Sequence, residues 1–219
     1  MKKPLIITII SLVLFSLSIV VFAPFIVLSV KTNSLQYDYS YLRNDETYSK
    51  EVMIDNIPLK KQTISCGYAC IEMLSTYYGK VVTEDDLSNK NNGGVSTQSS
   101  DGFLNEANES IPNHNFVKKA YLQDDEFLKE IHYALENKYP VSLEWAAKYE
   151  DEWTLHFSLI YGMNLKNDLI HILNPYGYEE HISVDEFISR STFEAYENMP
   201  LFLNFGFAFN AFEKNTIFY

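Results

Sequence analysis

From Leu5 to Val30 the chain carries no charged residue. About 20 apolar residues suffice to cross a bilayer as a helix. A signal-peptide core is shorter, about 7–15 residues, and ends at a small-residue cleavage site. No Ala-x-Ala site is found here, so the run reads as an uncleaved transmembrane anchor. Lys2 and Lys3 precede it and Lys31 follows alone, which predicts a cytoplasmic N-terminus and an outward-facing remainder. The expected division is residues 1–31 as cytoplasmic start and anchor, 32–50 as a polar, Tyr-rich tether, and 51–219 as one domain.

The chain has 219 residues and a formal net charge of −12, and all 29 acidic residues lie beyond Val30. That argues against a nucleic-acid surface, which needs a basic footprint. There are two cysteines, too few for a four-thiolate metal site. Cys66 and Cys70 lie on one proposed helix, a poor geometry for a disulfide. The division expected is a reactive Cys66 and a packing Cys70.

That helix is the most informative stretch. Ala69, Cys70, Met73, Leu74, Tyr77 and Tyr78 recur at three- and four-residue spacing, one buried helical face. Ser65 is placed to cap the N-terminus and Gly79 to end the helix in a left-handed conformation. Cys66 then falls in the first turn, where free N–H groups and the macrodipole favour a thiolate. Gly67 beside it leaves room for a substrate.

Around this helix the period changes along the chain. Residues 51–59 read as an extended lead-in. Short helices are expected after Thr83, from Thr97 to about Ile111, and from Asp124 or Asp125 to Leu135. A loop is expected at 89–94 and a strand at 116–121. Beyond Pro140 the pattern becomes strand-like, at 140–145, 156–163, 169–174 and 201–209, with a turn at 166–168. Ser183 to Glu186 is a capping-box pattern opening one more helix. The stretch between Glu144 and Trp153 is expected to be a long exposed loop. Helices first and antiparallel strands after predict an α+β domain.

At these residues the chain resembles a family. Gln62 followed by Ser65-Cys66-Gly67-Tyr68-Ala69-Cys70, Met73 and Tyr77-Tyr78-Gly79 is similar to the nucleophile helix of papain-like cysteine peptidases. The likeness is to the bacteriocin-processing, double-glycine-leader type (peptidase family C thirty-nine) and its stand-alone relatives. Tyr139 to Ser142 resembles the family's central strand. His156 opening a strand that ends in Gly162 resembles its catalytic-histidine strand. Asn174-Pro175-Tyr176-Gly177 resembles the turn that supplies the third catalytic residue.

The resemblance implies a papain-like fold over roughly residues 51–209 and a cysteine peptidase acting on peptides through a Cys66 thioester. Its base would be His156, oriented by Asn174 where close relatives usually carry Asp. Gln62 would donate to the oxyanion together with the Cys66 backbone N–H. Gln62 lies four residues before the cysteine, against the family's usual six, where this chain has Lys60. No cofactor or metal is expected, and no P-loop is present, so a transporter partner would be a separate chain. His114 is expected to face solvent and His132 to be structural. A metal site from His171, His181 and Asp168 has no supporting ligand spacing. Asn108-Glu109-Ser110 matches a glycosylation acceptor. Two alternatives stay open: a non-catalytic peptide-binding module on the same fold, and a thiol acyltransferase or cell-wall amidase.

Overall fold

The computed structural model describes residues 3–33, 39–209 and 211–219. Helix α1 runs over Lys3–Asn33. Its described side chains are those of residues 7–23 and 26. Among the described residues no helix is long and apolar enough to cross a membrane. The ends of the expected anchor therefore lie outside the described side chains.

From Tyr39 the stretch expected to be a tether lies against the domain. A 3₁₀ turn over Ser40–Asn44 buries Leu42 completely. Arg43 pairs with Asp168 at 2.8 Å, and Tyr41 donates to Asp125 at 2.8 Å. The lead-in forms β1 (Val52–Met53).

Helix α2 spans Cys66–Tyr77, and the Ser65 hydroxyl accepts from the Tyr68 N–H, as expected of a cap. Gly79 has φ +80°, the left-handed backbone that ends the helix cheaply only without a Cβ. Helix α3 (Glu84–Lys90) carries a full capping box between Thr83 and Asp86. Helix α4 (Ser100–Ser110) is capped by Ser99, not by Thr97. The expected strand at 116–121 shrinks to β2 (Lys118–Lys119), and α5 covers Asp124–Glu136.

Strands β3 (Val141–Tyr149) and β4 (Glu152–Asn164) form a long hairpin. The exposed loop expected between Glu144 and Trp153 is thus mostly strand, and Glu144 and Trp145 within it are buried. Only the tip lies outside the ladder, because cross-strand pairing continues to Tyr149 and Glu152. Strand β5 (Leu169–Asn174) follows, then β6 (Tyr178–Ile182) and α6 (Val184–Ser191), which Ser183 caps.

The apolar run expected as a final strand is instead helix α7 (Leu201–Ala208). It contains no β-branched residue, and its buried Leu203 and Phe207 lie four apart, one helical face. It packs against α1. The last element, β7 (Ile217–Phe218), inserts between β2 and β3.

The sheet is antiparallel in the order β2-β7-β3-β4-β5-β6, with β1 added beside β4. Each face carries its own core, because side chains alternate along a strand. On one face Leu143, Trp145 and Ile172 pack under α5 and α6 around Phe127 and Phe187. On the other, Phe157, Leu159 and Phe218 pack against α2 and α4 around Tyr68 and Phe103. The α+β class expected from the period change is found. The sheet, however, lies between helical layers and takes strands from both halves of the chain.

Candidate active site

Strand β4 is longer than its neighbour β5. The two pair only as far as Leu159 and Leu173, after which the chain turns away at Pro175. The rest of β4 therefore has an open edge on that side, and the candidate residues gather there. The turn is built locally: the Gly177 N–H donates to the Asn174 carbonyl at 2.9 Å, with Pro175 at the position where its fixed φ suits a β-turn.

His156 and Asn174, adjacent only in the folded sheet, meet as expected. His156 Nε2 lies 2.9 Å from Asn174 Oδ1. The Tyr176 ring stacks on the imidazole with centroids 4.0 Å apart, and its hydroxyl lies 2.7 Å from Thr154 Oγ1. Both His156 and Asn174 are buried. Burial lowers the imidazole pKa to about 4, against which the Asn174 hydrogen bond acts weakly.

Cys66 approaches the same edge from the α2 face. Its sulfur lies against the backbone N–H of Phe157, the neighbour of His156, and against the N–H groups of Gly67 and of Cys66 itself. Those donors favour the thiolate, as expected at a helix N-terminus. Burial outweighs them and pushes the thiol up to about 11. The expectation of a depressed thiol pKa is therefore wrong in sign, and near neutral pH burial leaves a neutral thiol and a neutral imidazole. Among the described residues no hydrogen bond joins Cys66 to His156. Cys70 is fully buried, as expected of a packing residue.

Gln62 is held at this edge by its backbone, whose N–H donates to the Pro175 carbonyl at 2.7 Å. Its Oε1 is buried without a partner, and its side chain lines a hollow shared with Tyr149, Thr154 and Tyr176. Lys60, at the alternative spacing, is committed elsewhere, 2.9 Å from Glu72. The space expected beside Gly67 is filled by protein. A Cβ there would meet Thr97 Oγ1 at 2.3 Å, so Gly67 lets the 94–98 loop close on the helix.

Several neighbours escaped sequence reading. Glu84 is buried, and its carboxylate accepts from the N–H groups of Thr63, Ile64 and Ser65 at 2.8–2.9 Å. It thereby holds the loop that delivers Cys66. An acidic residue in a helix's first turn is common enough that nothing in the sequence marked it. Glu144 faces Cys66 across a cavity of about 620 Å³, lined also by Leu155, Phe157, Phe202 and Phe212. Burial pushes its carboxyl up to about 8.

The other histidines pack. His114, expected to face solvent, is half-buried and stacked on Tyr78 at 4.4 Å. His132 is buried with Tyr48 at its edge. His171 and His181 face each other across β5 and β6, Nδ1 to Nδ1 at 2.7 Å. Among the described residues no three metal-ligating side chains converge.

Comparison with known proteins gives one family. The pattern of the Peptidase_C39 like family matches residues 54–200. No curated protein matches the chain. Similar solved structures include two peptidases of transporters. The peptidase domain of Streptococcus ComA, a bi-functional ABC transporter of a quorum-sensing pathway, is 15% identical over 75% of this chain and 97% of its own, with a TM-score of 0.46. A double glycine motif protease from an AMS/PCAT transporter, in complex with the leader peptide, is 18% identical over 64% of this chain and 84% of its own, with a TM-score of 0.40.

Proposed function

Since the chain belongs to the Peptidase_C39 like family, we propose that it is a cysteine peptidase with Cys66 as nucleophile, His156 as base and Asn174 as orienter. The observation that carries the reading is the His156–Asn174 pair at 2.9 Å on the open edge of β4, with the Cys66 sulfur on the next residue's N–H.

Because the resting thiol and imidazole are both neutral, the base acts during attack. His156 takes the Cys66 proton as the sulfur adds to the substrate carbonyl carbon. The negative oxygen that forms is met by the Cys66 backbone N–H and the Gln62 side chain. Collapse breaks the C–N bond, His156 returns the proton to the leaving amine, and a thioester remains. Water activated by His156 then hydrolyses it and frees Cys66. The cavity beside Cys66 suits apolar peptide side chains, and double-glycine leader peptides are the substrate class proposed.

The location proposed is the outer face of a cell membrane, with the N-terminus cytoplasmic. It is supported by the 31-residue length of α1, about 45 Å of helix, and by exposed apolar side chains along it such as Phe15 and Phe22.

A second reading, a peptide-binding module that does not cut, is favoured by the missing Cys66–His156 hydrogen bond. Turnover separates the two. The full chain, Cys66→Ala, His156→Ala and Gln62→Ala are compared on a double-glycine leader library. Wild type should cleave, both Cys66→Ala and His156→Ala should be silent, and Gln62→Ala should lose about 10²–10³ in kcat with little change in KM. Peptide binding without turnover above Cys66→Ala would establish the binding module. Protease added outside intact cells should digest the domain, and protection would refute the outward orientation.

A further inference from the structure

A chain of polar groups continues behind the imidazole. Asn174 is fully buried, and its amide is committed at both ends. Oδ1 accepts from the Tyr176 N–H at 2.9 Å while facing His156. Nδ2 donates to Glu180 Oε1 at 2.6 Å. The Glu180 carboxylate is in turn held by Arg190, with Nη1 2.6 Å from Oε2 and Nη2 3.2 Å from Oε1. Arg190 is itself buried, donates through Nε to the Ala146 carbonyl at 2.9 Å and lies 3.6 Å over the Trp145 ring. Five elements contribute: β3, β4, the end of β5, β6 and α6.

We infer that Glu180 is a positioning residue of this site, fixing through the Asn174 amide which nitrogen of His156 carries the proton. The inference rests on the peptidase reading for its consequence, though not for its geometry.

The reasoning is one of donors and acceptors. An amide has one donor end and one acceptor end. Turning Asn174 over would set its NH2 against the Tyr176 N–H and its oxygen against the Glu180 carboxylate, two repulsive contacts in a buried place. A carboxylate can only accept, and Arg190 fixes this one by a forked pair. Asn174 must therefore show its oxygen to the imidazole. Nε2 is then the protonated nitrogen, and Nδ1 keeps the lone pair that a base must offer. Within the turn only the Tyr176 N–H favours this orientation of the uncharged Asn174 amide, and it touches the oxygen end alone. Glu180 holds the amine end from one bond further out.

Glu180→Met tests this. It removes the acceptor at Asn174 Nδ2 and leaves the amide held chiefly by the Tyr176 N–H. Asn174 then shows NH2 as well as oxygen to Nε2, and Nδ1–H appears beside Nε2–H. The wrong tautomer of a catalytic imidazole costs about 10⁴ in kcat, so kcat should fall with the share of Nδ1–H while KM barely moves. The double variant Asn174→Asp with Glu180→Met restores the pattern, because a carboxylate can only accept from Nε2, and activity should return.

The measurements are kcat and KM on the cleaved peptide and the ¹⁵N shifts of the His156 ring, which read the tautomer whether or not peptides are cut. Expected are Nε2–H in wild type, Nδ1–H beside it in Glu180→Met and Nε2–H alone again in the double variant. Nε2–H alone in a folded Glu180→Met overturns the inference. If Glu180→Met does not fold, Glu180→Met with Arg190→Met, which leaves no unpaired buried charge, is read in its place with the same expected and overturning outcomes. If wild type cuts nothing, the tautomer shift still establishes the positioning role while the peptidase reading falls.

Discussion

At the scale of residues, the site shows two opposed effects on one thiol. Cys66 has the N–H donors that a helix start provides, yet burial holds its pKa up to about 11. Reactivity follows the thiolate fraction. Alkylation of the full chain should therefore modify Cys66, leave the fully buried Cys70 untouched, and speed up about tenfold per pH unit from neutral toward 11. The modified residue is mapped by mass spectrometry. A rate already at its plateau near neutral pH would mean a preformed thiolate–imidazolium pair and would overturn the neutral resting pair. Modification of Cys70 would undo the assignment of the nucleophile.

At the scale of elements, α3 earns its place through one side chain. Its capping box fixes where the helix begins, and that start aims Glu84 at three consecutive N–H groups of residues 63–65. The Glu84 N–H in turn donates to Glu72 on α2 at 3.0 Å, so the loop before Cys66 is tied to both helices. A hydrogen bond to a charged group contributes about 1.5–3 kcal/mol. Glu84→Ala should cost about 3 kcal/mol of unfolding free energy, in line with that range, and also lower kcat by misplacing Cys66. Glu84→Gln, which keeps one acceptor, should fall between. Denaturant melts and kinetics check both, and a Glu84→Ala protein of unchanged stability would remove the loop-holding role.

At the scale of the whole molecule, buried ionisable groups make stability depend on pH. Glu144 is held up to about 8, whereas an unfolded glutamate titrates near 4.3. Between those values the folded chain holds a proton that the unfolded chain has released. Its contribution is full below about 4 and is lost as pH rises through about 8. His156 runs the other way, since its pKa of about 4 makes its contribution fade as pH falls below about 6.5. Lys214, lowered to about 8, adds stability as pH rises above that value. Between about pH 6.5 and 8 Glu144 is the group whose proton is at stake, so the melting temperature should fall across that window. Glu144→Gln should flatten the fall, and a variant with the wild-type slope would reassign the titration.

The sequence by itself determined the α+β class, the start and end of α2, the capped start of α6, and the candidates Cys66, His156 and Asn174. The elements and Cys66 rest on local chemistry: a hydroxyl beside free N–H groups, a glycine where φ is positive, a period of four residues or of two. His156 and Asn174 rest on the family resemblance. What the sequence left open, the tertiary structure decided, because burial is a property of the assembled chain. The thiol pKa turned upward only once the assembled chain buried Cys66, which outweighs the Phe157 N–H. The apolar run at residues 201–209 settled as a helix once Leu203 and Phe207 had a common surface to cover. Glu84, Glu180 and Arg190 are ordinary charges along the chain, and they act on Cys66 and Asn174 only because folding removes the water that would otherwise satisfy them.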